Sequence, residues 1–179
     1  MMFACYYDSP LGKLLLTADA LGLTGLYFDG EKTEPGRLAL ARTERETPLL
    51  AETKRWLDVY FSGSQPDFLP PLHPAGSAFR QAVWALLLQI PYGQTTTYGA
   101  IARQLAAKQG IPKMSAQAVG GAIGDNKIAI VIPCHRVIGA NGSLTGYAGG
   151  MNRKAALLEL EHTDMTGLFL PKKEPARER

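Results

Sequence analysis

Apolar and polar residues alternate through FACYYD at residues 3–8, the period of a strand with one covered face. SPLGK supplies a Pro/Gly turn, KLLLTA follows as a second strand, and DALG turns the chain into GLTGLYF. The pattern predicts a meander of three short antiparallel strands. From 48 onward the repeat changes. PLLAETKRWLDVYFSG sets Leu49, Leu50, Trp56, Leu57, Tyr60 and Phe61 near helical spacing, with Gly63 as the stop. SQPDFLPPLHPAG then places four prolines in thirteen residues, which predicts an extended linker and a domain boundary near 75.

Beyond the linker the apolar spacing is helical. Ser77 can cap a helix carrying Phe79, Val83, Leu86, Leu87 and Ile90, closed by a PYG turn. TTTYGAIARQLAA predicts a second helix with Ile101 and Leu105 inward, KQGIPK breaks it, and Ser115 opens a third, SAQAVGGAIG. The spans 98–107 and 115–124, joined by a short break, have the outline of a helix-turn-helix. Gly120 and Gly121 inside the third helix each cost ~1 kcal/mol against alanine. Either a close-packed neighbour or the approach of a ligand or nucleic-acid groove accounts for them. IAIVI at 128–132 is a continuous apolar run, read as a short buried strand. GANGSLTGYAGG is a glycine-rich loop, and NRKAALLELE predicts a final helix. The reading is thus α+β: residues 1–75 an α/β domain with three antiparallel strands and a helix, 76–170 a mainly α domain, and 171–179 a charged, frayed tail.

Composition narrows the setting. The 179 residues suffice for a real core, and no apolar stretch approaches the ~18 residues that span a bilayer. MMFACYYDSPLG lacks the basic flank and apolar core of a secretion signal. With Cys5 and Cys134 as the only cysteines, no disulfide framework exists, and a reducing, cytoplasmic compartment is expected. Charge is uneven. Residues 1–75 carry 7 Lys/Arg against 10 Asp/Glu, and residues 76–179 carry 12 against 6. The second half therefore suits a phosphate-facing surface.

The two cysteines differ in setting. Cys5 lies within an alternating strand, where a cysteine is a small buried hydrophobe. Cys134 follows the apolar run and precedes His135 and Arg136. A free thiol with a pKa of about 8.5 is only a few per cent ionised at neutral pH, so a nucleophile there needs a base or cationic surroundings. His135 can be that base, with a carboxylate behind it. Asp125, Glu159, Glu161 and Asp164 are the acids of the second half before the tail. The two cysteines and His73, His135 and His162 show no usable metal spacing, so neither metal nor cofactor is expected.

PCHRV at 133–137 resembles the signature of the O6-alkylguanine-DNA alkyltransferases, the methylated-DNA–protein-cysteine methyltransferases. TTTYGAIA, AVGGAIGDN, IPCHRVIGANGSLTGYAGG and KAALLELE are similar to that family in order, and the first 75 residues match more loosely. The resemblance implies a small ribonuclease-H-like N-terminal domain and a winged-helix-like helix-turn-helix domain. It also implies a single-turnover repair protein that moves the alkyl group of O6-alkylguanine in DNA to its own cysteine, with O4-alkylthymine as a second candidate substrate. By the same resemblance Cys134 is the acceptor, His135 the base acting through a water, Glu161 its supporting carboxylate, and Asn126 the residue ordering the loop. Tyr98 protonates guanine N3, the carbonyls of Cys134 and Val137 accept from the guanine amino group, and Tyr147 closes over the base. Gln117, Ala118, Gly120, Gly121 and Arg136 belong to the surface that meets substrate and DNA. The implied partner is double-stranded DNA, entered through the minor groove by a monomer, with the damaged nucleotide flipped out. Many family members carry an intercalating arginine where this chain has Gln117. Three rival readings stand beside it: a multiple-turnover Cys-His hydrolase, a non-catalytic alkylated-DNA-binding relative, and a transcription regulator built on the helix-turn-helix.

Overall fold

The computed structural model describes residues 1–31 and 42–171; most of the charged tail lies outside the described residues. The meander forms as the alternation predicts: β1 (Met2–Ser9), β2 (Gly12–Ala18) and β3 (Leu23–Phe28) are antiparallel, with Cys5 opposite Leu16 and Tyr7 opposite Leu14. Cys5, Leu14, Leu16, Leu26 and Phe28 enter the main core, while Ala4, Leu15 and Tyr27 cluster on the other face. A fourth strand that the pattern does not announce, β4 (Arg42–Glu44), pairs in parallel with β1, so the sheet order is β3-β2-β1-β4. Its three polar residues are too short a run to carry a period.

Helix α1 (Pro48–Phe61) begins with Thr47 accepting from the Leu50 amide and with Pro48 in the first turn, where its missing N–H costs nothing. Leu50, Thr53, Trp56, Leu57 and Tyr60 form its buried stripe. The proline-rich stretch is extended, and it is also docked. The Leu23 amide donates to the Pro71 carbonyl, and the His73 amide donates to the Leu23 carbonyl, both at 2.7 Å, along the free edge of β3.

α2 (Ala78–Leu87), α3 (Tyr98–Gln109) and α4 (Ala116–Gly124) are opened by Ser77, Thr97 and Ser115, each accepting an amide hydrogen. Gly110, left-handed at φ 65°, ends α3. The indole of Trp84 donates to the Ala122 carbonyl at 2.9 Å and ties α2 to α4. Two-residue strands β5 (Thr96–Thr97) and β6 (Val137–Ile138) pair in parallel, placing the start of α3 beside the chain that leaves Cys134. Helix α5 (Met151–Leu160) closes the described chain.

The run at 128–132 corrects the sequence reading. Only Ile128 bridges β3; after it the chain coils, with Ile130 at φ 70° and the Ile132 amide returning to the Ile128 carbonyl. The residues are apolar because they are enclosed on every side, and enclosure alone does not specify a strand. Cys134 therefore opens a 3-10 turn, Cys134–Arg136, rather than following a strand. No helix among the described residues is long and apolar enough to cross a membrane.

Candidate active site

The tight path from α4 to Cys134 is held by one side chain. Asn126 is buried, and its Nδ2 donates to the carbonyls of Ile128 (3.2 Å) and Ile132 (2.9 Å) and to Cys134 Sγ (3.2 Å). Its Oδ1 accepts from the Ile128 amide at 3.0 Å. The amide thus templates the coil and aims a donor at the sulfur, which favours the thiolate. Burial is the larger effect. It pushes the Cys134 thiol up to about 11, against the Asn126 hydrogen bond and the charge of Lys154. At neutral pH the resting sulfur keeps its proton, so reaction requires a base.

His135 is fully buried, and its Nε2 lies 2.5 Å from Glu161 Oε2. Burial would raise the Glu161 carboxyl, but the hydrogen bonds and charges of His135 and Arg136 outweigh it and bring the pKa to about 2. An ionised carboxylate only accepts, so the imidazole carries its hydrogen on Nε2 and its lone pair on Nδ1. Nδ1 is buried with no partner among the described residues. Burial also holds the ring below its ordinary pKa, with Glu161 opposing, so it is neutral and can accept a proton. Of the four candidate acids, Glu161 is the one at the histidine. Asp125 pairs with Arg80 at 2.6 Å, and Asp164 accepts from the Thr166 amide.

Arg136 turns inward rather than toward a phosphate. Its Nε donates to Glu161 Oε1 at 2.7 Å and its Nη1 to the Ile90 carbonyl at 2.6 Å, so it anchors the carboxylate. Sequence reasoning also passed over two residues. Tyr60, read as an apolar helix position, donates to Glu161 Oε2 at 2.6 Å. Lys154, read as part of the last helix, is fully buried; its Nζ donates to the Val137 carbonyl and, at 2.9 Å, to the Thr145 carbonyl. Burial lowers its pKa to about 8 while the nearby Cys134 pulls it back up, so at neutral pH it is mainly a cation facing the thiol. The signal was available: Lys154 shares a helix face with Leu157 and Leu158, both buried.

Of the remaining candidates, Tyr98 and Tyr147 lie close enough to Cys134 to feel its charge. Tyr98, the first residue of α3, donates to the Thr145 carbonyl at 3.1 Å, and its hydroxyl is held near 12 by burial and the Cys134 charge. The Val137 carbonyl, expected to face a base, is met by Lys154 and keeps a second lone pair. The Cys134 carbonyl accepts from the Val137 amide. Tyr147 packs edge-on to Phe28 and His135, at centroid distances of 6.3 and 6.5 Å, and its buried hydroxyl has no partner among the described residues. On α4, Gln117, Ala118 and Gly121 are exposed, and Gly120 lies half-buried beside the Tyr98 ring. A Cβ on Gly120 would make an ordinary 3.7 Å contact with that ring, and one on Gly121 would meet nothing within 4 Å. Internal packing therefore requires neither glycine. Among the described residues no group of His, Cys, Asp and Glu could hold a metal ion.

Known proteins match most of the chain. The model of the 6-O-methylguanine DNA methyltransferase ribonuclease-like domain matches residues 2–74, and that of the same enzyme's DNA-binding domain matches residues 78–163. A methylated-DNA–protein-cysteine methyltransferase of Mycobacterium leprae is 46% identical, covering 91% of this chain and 94% of its own. The constitutive enzyme of that name from Bacillus subtilis is 42% identical over 86% of this chain and 92% of its own. The crystal structure of Mycobacterium tuberculosis OGT in complex with DNA superposes with a TM-score of 0.77 at 43% identity, covering 89% of this chain and 92% of that one. The chain belongs to the 6-O-methylguanine-DNA methyltransferase family.

Proposed function

We infer that this protein repairs alkylated DNA by moving the alkyl group of O6-alkylguanine onto Cys134, once per molecule. The observation that carries the reading is the pairing of His135 Nε2 with Glu161, which leaves Nδ1 without a partner among the described residues, on the residue that directly follows the buried Cys134. The Cys134 proton passes to Nδ1, directly or through a water, and Glu161, itself anchored by Arg136, holds the resulting imidazolium in place. The sulfur attacks the alkyl carbon; the S–C bond forms as the C–O6 bond breaks, and its electron pair leaves with guanine. That developing negative charge is quenched by a proton, for which the Tyr98 hydroxyl, close enough to feel the Cys134 charge, is the acid candidate once it releases Thr145. Lys154 and the Asn126 amide stabilise the sulfur as it ionises. The product is a thioether, which has no leaving group that water can displace, so the protein is consumed.

The same geometry supports DNA as the substrate's carrier. A thiol this deeply set cannot reach an atom inside a duplex, so the nucleotide leaves the stack, at a cost of a few kcal/mol. The exposed face of α4 is small and nearly featureless, and glycine is not needed there for packing, which fits a helix that lies close in a narrow minor groove. Gln117 stands on that face, placed to fill the vacated stack without adding a cation. Residues 1–75 and 76–170 act as the scaffold unit and the DNA-binding, alkyl-accepting unit. Cys134→Ala is expected to abolish transfer while retaining binding to duplex DNA, and Cys5→Ala to retain both. A Cys134→Ala protein that still removes the alkyl group overturns the assignment.

A further inference from the structure

Tyr60 is completely buried on α1, stacked on Trp56 with ring centroids 5.3 Å apart. A buried phenol needs a polar partner. This one finds it 101 residues away: its hydroxyl donates to Glu161 Oε2 at 2.6 Å, the oxygen that also accepts from His135 Nε2. The two helix ends are fastened again just beyond this pair, where His162 Nε2 donates to the Gly63 carbonyl at 2.9 Å. We propose that Tyr60, supplied by the N-terminal unit, is a positioning residue for alkyl transfer that sets the basicity of His135 through the carboxylate oxygen they share. The inference rests on His135 being the base that takes the Cys134 proton.

The physical argument is competition for one acceptor. Charge that Oε2 gives to the Tyr60 hydroxyl is withdrawn from the imidazole, so the tyrosine weakens the pull of Glu161 on a protonated His135. Without it the ring would hold a proton at higher pH and fail as a base. The other groups facing this cluster are Arg136 and Lys154, whose charges disfavour imidazolium, together with Cys134, Tyr92 and Tyr147. None of these besides Tyr60 donates to Oε2 alongside the histidine. Burial, and then the Glu161 charge, hold the Tyr60 hydroxyl far above its ordinary pKa, so it stays a donor throughout the working range. Its stack on Trp56 and the His162–Gly63 contact fix its reach, which lets the sheet-bearing half of the chain tune chemistry done in the other half.

The test is the pH dependence of single-turnover transfer from O6-methylguanine duplex by the full chain. Tyr60→Phe keeps the ring and its stack and loses only the donor. Its acid limb is expected to move to higher pH by up to one pH unit, giving up to about tenfold slower transfer on that limb. Site-specific 3-fluorotyrosine at position 60, a stronger donor of the same shape, is expected to move the limb the opposite way. Opposite displacements support the proposal, since loss of packing would not reverse sign between the two. Unchanged limbs in both proteins overturn it while leaving Cys134 as acceptor. Should Tyr60→Phe not fold, the fluorotyrosine protein decides alone by the direction of its limb. A wild-type chain that transfers nothing overturns the functional reading and this inference together.

Discussion

Replacing Glu161 by glutamine keeps the side chain's outline and removes its charge, and the structure sets the size of the effect. The carboxyl is buried, accepts from His135, Arg136 and Tyr60, and has a pKa lowered from the usual 4.5 to about 2. At ~1.4 kcal/mol per pKa unit the difference is worth about 3 kcal/mol of folding stability. The unfolded chain binds this proton before the folded one does. The stabilisation is therefore complete above the unfolded pKa and is lost as the pH falls from about 4.5 through about 2. Glu161→Gln also leaves the guanidinium of Arg136, largely buried, without its counter-ion, and this adds to the deficit at neutral pH. Urea unfolding of both proteins at pH 7 and pH 3 measures the gap directly. At pH 7 the variant should be less stable by at least about 3 kcal/mol, and by pH 3 roughly half or more of the part due to the pKa shift should have closed, because only the wild type has a carboxyl to protonate there. A gap of equal size at both pH values would mean that shape, not charge, is what Glu161 contributes. No gap at pH 7 would refute the ion-pair account altogether.

Two further outcomes follow from the site. Lys154→Met removes the cation facing the sulfur, so reaction of Cys134 with iodoacetamide should be about tenfold slower at pH 7, where Lys154 is still mainly charged, with the difference shrinking above pH 8 as the wild-type lysine loses its proton; equal rates at pH 7 would remove Lys154 from the chemistry. Gly121→Ala should stabilise the fold by up to ~1 kcal/mol, since the added methyl meets nothing within 4 Å, yet weaken duplex binding. A stabilised variant that binds DNA as tightly as wild type would argue against α4 as the close-approach face.

What was legible in the sequence had local causes. The meander is written in period-two alternation punctuated by Pro/Gly and Asp turns, and the starts of α2 and α4 are written in Ser77 and Ser115. PCHRV and its neighbours pointed to Cys134, His135, Asn126 and Glu161, which the fold does bring together. What escaped depends on distant partners. Tyr60 and Lys154 sit at core positions of their helices, and their polar ends matter only because residues 101 and 17 positions away come within reach. Arg136 follows the histidine in a basic half of the chain, so an outward role was natural to expect; the buried carboxylate of Glu161 draws it in. The run at 128–132 was misread for a related reason: hydrophobicity reports burial, and the turn at Ile130 is imposed by the Asn126 hydrogen bonds around it.

The central claim is that Cys134 itself takes the alkyl group, and intact-mass spectrometry of the protein mixed with an excess of O6-methylguanine duplex tests it most directly. The account predicts one methyl in place of one proton per protein molecule, mapped by proteolysis to the peptide containing Cys134, with repair stopping once the protein is saturated. An unmodified protein that goes on repairing through many turnovers, or a methyl mapped to Cys5, would contradict it.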